Sequence, residues 1–334
     1  AASYSLHVNT ASGTLHGFID CSAPAVRQFI GVPFALPPTG SRRWLPPAPK
    51  ISPTAIMNAT SFGLSDCLTP NVWAPAQPQS AMLPVIVWFF GGGFTQGGTD
   101  SLYFNAAPWV QCTQAHIVNL GLLDQRAALE WVRDNAAAFG GEAARIAAWG
   151  ESAGAIAVDY LNFAFYEDPI VTGFIMDSAT ALFPERVKTT DTAQANFAAV
   201  AAELGCGGGA PAAQIDCLRD TVLAANASLS FLSVPDDRLV FANYTTSYGA
   251  GLLAHLPLIF GTAGQFHGPS TAYEDKVSGR LQDLWLAFAQ DPEKGLQNAG
   301  WDTFGAGKAV LLGDADTPMK EVDVQELDGA CAKK

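Results

Sequence analysis

Short runs with strand character, separated by turn residues, open the chain. Tyr4 to Val8 and Thr14 to Ile19 flank Ala11-Ser12-Gly13 and predict a β-hairpin. Val26-Arg-Gln-Phe-Ile-Gly-Val-Pro-Phe-Ala35 predicts another short strand, ended by Pro37-Pro38. Residues 36–56 are Pro-rich and read as surface loop. Cys67-Leu-Thr-Pro-Asn-Val-Trp73 reads as a strand whose Pro70 argues against a central position. Pro84-Val-Ile-Val-Trp-Phe-Phe90 is continuously apolar, as a strand buried on both faces should be.

The period then becomes helical. Over Leu122 to Ala138, Leu123, Ala127, Ala128, Trp131 and Val132 share one face, while Asp124, Gln125, Glu130 and Arg133 lie largely elsewhere. Phe139-Gly140-Gly141 stops this helix. An apolar run to Trp149 predicts a strand, Ala155 to Phe163 a helix, and Thr172 to Ser178 the next strand. Alternating strand and helix from 84 to 178 implies a largely parallel sheet, the α/β class. Residues 180–250 read as helix-rich, Leu256-Pro-Leu-Ile-Phe-Gly261 is an apolar segment, and Tyr273 to Gln290 is a helix with Val277, Leu281, Leu284, Trp285 and Phe288 inward. Ala309 to Leu312 predicts a short late strand, and the acidic tail after Gly313 reads as surface. The expected organisation is one domain: N-terminal antiparallel strands and loops over 1–83, a core sheet over 84–178, and a helical and C-terminal part over 179–334.

Two stretches carry candidate chemistry. Gly150-Glu151-Ser152-Ala153-Gly154 is a G-x-S-x-G pattern between a predicted strand and helix, the context that marks a nucleophile elbow. Such a turn strains Ser152, presents its hydroxyl beside a helix N-terminus, and needs glycine where strand and helix approach. Upstream, the apolar strand runs into Gly91-Gly92-Gly93-Phe94. Glycines there leave backbone N–H groups uncovered, the composition an oxyanion hole needs.

Composition narrows the partners. Net charge is −13, with eighteen basic residues spread along the chain; that field repels a polyphosphate, so no nucleic-acid partner is expected. No apolar run approaches the length of a membrane span. Ala1-Ala2-Ser3 reads as a mature, processed end. Sequons at Asn58-Ala59-Thr60, Asn226-Ala227-Ser228 and Asn243-Tyr244-Thr245 suit a glycosylated, secreted protein. Cys206 and Cys217 flank a Gly-rich segment that a disulfide could close, whereas Cys21, Cys67, Cys112 and Cys331 have no obvious pairing. No Cys/His spacing suggests a metal site, and no cofactor is expected.

With these motifs in hand, the chain resembles the type-B carboxylesterases, the cholinesterase-like α/β-hydrolases, and among them the secreted fungal esterases. The resemblance rests on Thr14 to Phe18 with Phe29-Ile-Gly-Val-Pro-Phe-Ala35, Asp66-Cys67-Leu68 with Asn71-Val72-Trp73, Gly91-Gly-Gly-Phe94, Asn119 to Asn135, Phe139-Gly-Gly141 and Gly150 to Gly154. It implies a mixed, mostly parallel sheet flanked by helices. It implies hydrolysis of a small-molecule or lipid-like ester through an acyl-serine on Ser152. Gly92, Gly93 and Ala153 would donate the oxyanion N–H groups, Glu151 would be the charged neighbour, and Cys206–Cys217 a family disulfide.

The departures fall on the triad. The family's acid motif is absent, and aligned on Leu256-Pro257 its histidine column holds Leu252 and the following glutamate column His255. An internal block carrying both triad partners is missing; further gaps fall at Gln114-Ala-His-Ile-Val118 and before Cys67, and Ser65 stands for a family glutamate. Of the five histidines, only His255 and His267 follow Ser152; His116 precedes it, and His7 and His16 lie in the hairpin. Glu274 and Asp275 are candidate acids without a motif. A catalytically silent or truncated relative, with at most a ligand- or partner-binding role, is therefore the second expectation.

Overall fold

A computed structural model describes residues 5–62, 68–77, 82–94, 97–101, 105–108, 110, 116–118, 122–165, 167–181, 190–220, 269–301, 308–314 and 317–323. The strands begin with β1 (His7–Thr10), β2 (Gly13–His16), β3 (Val26–Phe29) and β4 (Ile56–Asn58). The predicted hairpin is β1–β2, and β4 adds to it in parallel within a small sheet of order β1-β2-β4. Then come β5 (Val72–Pro75), β6 (Leu83–Phe89), β7 (His116–Val118), β8 (Gly141–Glu151) and β9 (Gly173–Asp177). The main sheet has the order β3-β5-β7-β6-β8-β9. Its β7, β6, β8 and β9 run parallel, as the strand–helix alternation predicts, while β3 and β5 are antiparallel to their neighbours.

β5 corrects the expectation drawn from Pro70, because it has neighbours on both sides. Pro70 lies before the strand, where only its carbonyl is used, accepting the Val32 N–H at 2.9 Å. The missing donor therefore costs no ladder bond.

β6 is buried at every position, and its side chains alternate between two cores. Val85, Val87 and Phe89 join one core, with Ile146 and Ala148 of β8. Ile86 and Trp88 join the other, with Ala147 and Trp149. Helices cover both faces. The first core takes α1 (Leu122–Phe139) through Leu129, Val132 and Phe139, and α2 (Ala153–Ala164) through Val158 and Leu161. Gln125 and Asn135 also turn inward on α1, against the simple apolar-face reading. Helix α1 is rich in good helix formers, carries an i,i+4 Arg126–Glu130 pair at 2.9 Å, and ends at Gly140 with φ +97°.

Next along the chain are α3 (Thr190–Glu203) and α4 (Pro211–Asp220), tied by a Cys206–Cys217 disulfide. The second core receives α5 (Ala272–Gln290), whose Val277, Leu281, Leu284 and Trp285 pack on the sheet, followed by the single turn α6 (Gly295–Asn298). The predicted late strand is β10 (Lys308–Asp314), and it forms a hairpin with β11 (Thr317–Asp323), a mostly exposed strand in the first part of the acidic tail; residues 324–334 lie outside the described residues. Lys308 there lies 3.4 Å from Glu321 and 3.5 Å from Asp323, so the acids face a cation across the ladder. Cys67, Cys112, Cys331 and the segment Leu256–Gly261 lie outside the described residues. Cys21 is an exposed free thiol.

Burial pushes the Asp124 carboxyl, in the first turn of α1, up from the ordinary aspartate value to about 6. The folded chain then binds this proton more tightly than the unfolded one, so its contribution to stability falls as pH rises from about 4 through about 6. Asp124→Asn removes that loss. The variant is expected to melt above the wild type at pH 7.5, with the difference closing at pH 4 in parallel thermal scans.

Candidate active site

β6 and β8 are parallel neighbours whose last paired residues are Phe89 and Gly150. Both strands end at the same level, so the chain after each emerges at one edge of the sheet. After β6 comes the Gly91–Gly93 loop; after β8 come Ser152 and the first turn of α2. This is the carboxyl end of the parallel strands, where α/β sheets bind ligands.

Ser152 adopts φ +54° and ψ −123°, the strained conformation its motif predicts. A side-chain-bearing residue holds such a conformation at a cost of about 1–3 kcal/mol, which neighbouring structure must offset. Its N–H donates to the Asp177 carbonyl at 2.9 Å, and its carbonyl accepts the Ile156 N–H at 3.0 Å. The flanking glycines allow the approach. A Cβ on Gly150 would stand 2.4 Å from the Gly154 carbonyl group, and one on Gly154 would stand 2.0 Å from the Phe89 oxygen. Ala153 is buried at the start of α2. The positive end of that helix therefore faces the serine.

The glycine loop leans on the same residue. A Cβ on Gly91 would meet the Ser152 Cβ at 2.9 Å and both the carbonyl and Oε2 of Glu151 at 2.8 Å. Gly92 and Gly93 follow with φ +117° and +64°, and Phe94 continues at +60°. The loop thus turns through conformations that suit glycine. Gly97 backs it: a Cβ there would come within 2.8 Å of the Gly91 oxygen. Ser152, Ala153, Glu151 and the loop bearing Gly92 and Gly93 are accordingly gathered at one end of the sheet. Glu151 is buried, in register with Asp177 of β9.

Two residues matter here that no motif flagged. Asp177 accepts the Trp149 Nε1 proton at 2.7 Å through its carboxylate and holds the serine through its carbonyl. Asp159 on α2 accepts the Ala181 N–H at 2.8 Å, and burial pushes its carboxyl up. Both are acidic residues inside or beside apolar runs, which is the only local sign they give.

The triad candidates fare differently. His255 and His267 lie outside the described residues. The backbone of His116 pairs with Val85 in β6, which pairs with Ile146 in β8. Six residues of extended chain, roughly 20 Å, separate that level of the sheet from Ser152. His7 and His16 stack on each other across β1–β2, ring centroids 4.0 Å apart. Glu274 is engaged in a capping box: its Oε2 accepts the Thr271 N–H at 2.7 Å, while the Thr271 hydroxyl accepts the Glu274 N–H at 3.2 Å. Asp275 is exposed in the same turn. Among the described residues no group of three or more His, Cys, Asp or Glu side chains could hold a metal ion.

The model of the carboxylesterase family matches residues 4–65, 63–107 and 109–229. The chain belongs to the carboxylesterase family. By family it is a carboxylesterase-type hydrolase with the α/β-hydrolase fold. Chlorogenic acid esterase of Aspergillus niger is 32% identical over 431 residues, covering 87% of this chain and 83% of the relative. Secreted lipase 5 of Gibberella zeae is 29% identical over 468 residues, covering 89% and 87%. Secreted triacylglycerol lipase LIP1 of Gibberella zeae is 31% identical over 371 residues, covering 84% and 62%. Each alignment is longer than the 334 residues of this carboxylesterase, so the relatives carry internal segments that it lacks. No helix among the described residues is long and apolar enough to cross a membrane.

The glycine contacts make a direct test. Gly154→Ala must push α2 away from β6, and overpacking of this kind costs about 1–3 kcal/mol. A lowered urea midpoint with unchanged slope is expected; an unchanged midpoint would mean that strand and helix are not this close.

Proposed function

We propose that this carboxylesterase hydrolyses carboxylic esters through an acyl-enzyme on Ser152. The observation that carries the reading is the strained serine at the N-terminus of α2 with the glycine loop against it. The Ser152 oxygen attacks the ester carbonyl carbon and its proton passes to a base. The N–H groups of Gly92, Gly93 and Ala153 receive the negative oxygen of the tetrahedral intermediate. The alcohol leaves with a proton, and water then attacks the acyl-serine to release the acid. Glu151 is the charged neighbour that steadies the developing positive charge on the base. The base is an imidazole in the scheme of this reaction class, and His255 and His267 are the histidines after Ser152. Relatives named for chlorogenic acid and triacylglycerol support a small-molecule or lipid-like ester as substrate. Relatives named as secreted, together with the sequons, support an extracellular glycoprotein.

A second reading is a silent family member. It is favoured by Leu252 in the histidine column and by the internal segments the relatives have and this chain lacks. A fluorophosphonate probe separates the two. The first reading expects covalent labelling at Ser152, and loss of both labelling and ester turnover in Ser152→Ala. Folded protein that takes no label, or turnover that survives the substitution, would sink it.

A further inference from the structure

We propose that Asn58 carries an N-linked glycan and that this glycan guards the open edge of the N-terminal sheet. The proposal rests on the extracellular reading above. Asn58-Ala59-Thr60 meets the Asn-x-Ser/Thr requirement, with alanine rather than proline between the two functional residues. Asn58 is the last residue of β4, which lies at the end of the β1-β2-β4 order and pairs with β2 on one side.

Local backbone bonds orient the sequon. The Ala59 N–H donates to the His16 carbonyl at 2.9 Å, and the Ala59 carbonyl accepts the Ile30 N–H at 2.9 Å. Extended chain alternates its side chains, so pinning Ala59 inward turns its neighbours outward. Ala59 is 2% exposed, whereas Asn58 and Thr60 are both exposed. The acceptor amide and the threonine hydroxyl therefore stand together on the solvent side. Among the described residues the Asn58 amide makes no hydrogen bond that a glycan would have to break.

Among the described residues β4 pairs with β2 alone, and its one intrinsic protection is its length of three residues. Exposed strand edges are also kept from pairing with other chains by charged side chains, prolines, bulges or a covering element. Residues 51–62 contain no charged side chain, and their proline, Pro53, precedes the strand. Ile56, two residues from Asn58 on the same side, is 71% exposed, and Ile51 is 73% exposed. A hydrated oligosaccharide at Asn58 would cover this apolar, uncharged edge and block approach of a second strand.

The test uses the full chain, directed into the secretory pathway of a eukaryotic host by a cleavable leader, so that modification does not depend on native targeting. Peptide N-glycosidase treatment followed by peptide mapping should recover Asn58 as aspartate. Recovery as unmodified asparagine overturns the proposal. Asn58→Gln and Thr60→Ala remove the sequon, and Thr60→Ser keeps it. Light scattering against concentration should rise several-fold in the first two and stay at the wild-type level in the third. Adding Ile56→Lys to Asn58→Gln should return scattering to baseline, because a charge replaces the glycan as the edge's protection. Sequon-free chains that stay as dispersed as wild type overturn the guarding role. If Asn58→Gln is not recovered folded, trimming the folded wild type with an endoglycosidase that leaves a single uncharged sugar on Asn58 removes the bulk of the glycan without adding a charge, and scattering should rise as in the sequon-free variants. The extracellular reading fails by a different sign, retention of the native protein inside its source cells.

Discussion

A serine held at φ +54° is the constraint from which the centre of this molecule follows. Its backbone is stable only where three segments come within contact distance, and each meets it with a glycine. Gly150 and Gly154 let β8 and α2 cross so closely that a single methyl would displace one of them. Gly154 also seats α2 on the Phe89 carbonyl of β6, and Gly91 brings the next turn of β6 onto the serine. The register of β6 on β8, the position of α2 and the location of the glycine loop are thus one problem with one solution.

The burial of β6 on both faces supplies the rigidity this needs. Two cores are required, and the chain builds them from separate parts: α1 and α2 on one face, α5 on the other. Arg27 joins the parts at the opposite end of the sheet. Nearly fully buried, its guanidinium donates to the carbonyls of Pro75 at 3.1 Å, Ser5 at 3.1 Å and Phe139 at 2.6 Å. It caps the negative end of α1 while tying β3 to β5. A cation inside an apolar strand is stable here because its donors go to backbone carbonyls, one of them at the open C-terminal end of α1.

Elements buried on both faces, or bounded by glycine, were legible from residues alone: β6, α1, the elbow, and the parallel run from 84 to 178. What escaped was set by partners distant in sequence. The first half of β8, Gly141 to Arg145, is small and polar, and it meets β6 only through Gly141 opposite Leu83 before the register shifts to Val85 opposite Ile146. β11 carries two acids and a proline, and reads as strand only once Lys308 faces it. Strand preference depends on context in this way. Ser152 announces itself because its strain has a local cause, written in its own flanking glycines. A general base has no such signature, since it is defined by where the fold carries an imidazole and not by its neighbours in the chain. Asp177 was missed for the same reason.

Three tryptophans of the second core, Trp88, Trp149 and Trp285, form a ladder. Trp88 and Trp149 have ring centroids 4.4 Å apart, and Trp149 and Trp285 6.2 Å apart, both in edge-to-face contact. The first two rungs belong to β6 and β8; the third belongs to α5, more than a hundred residues further along the chain. Indoles this close share their electronic transitions, and near-ultraviolet circular dichroism responds to such fixed packing. The molecule therefore contains its own optical gauge of assembly: the signal of the first pair reports the sheet, and the added coupling to Trp285 reports the moment the C-terminal third closes over it.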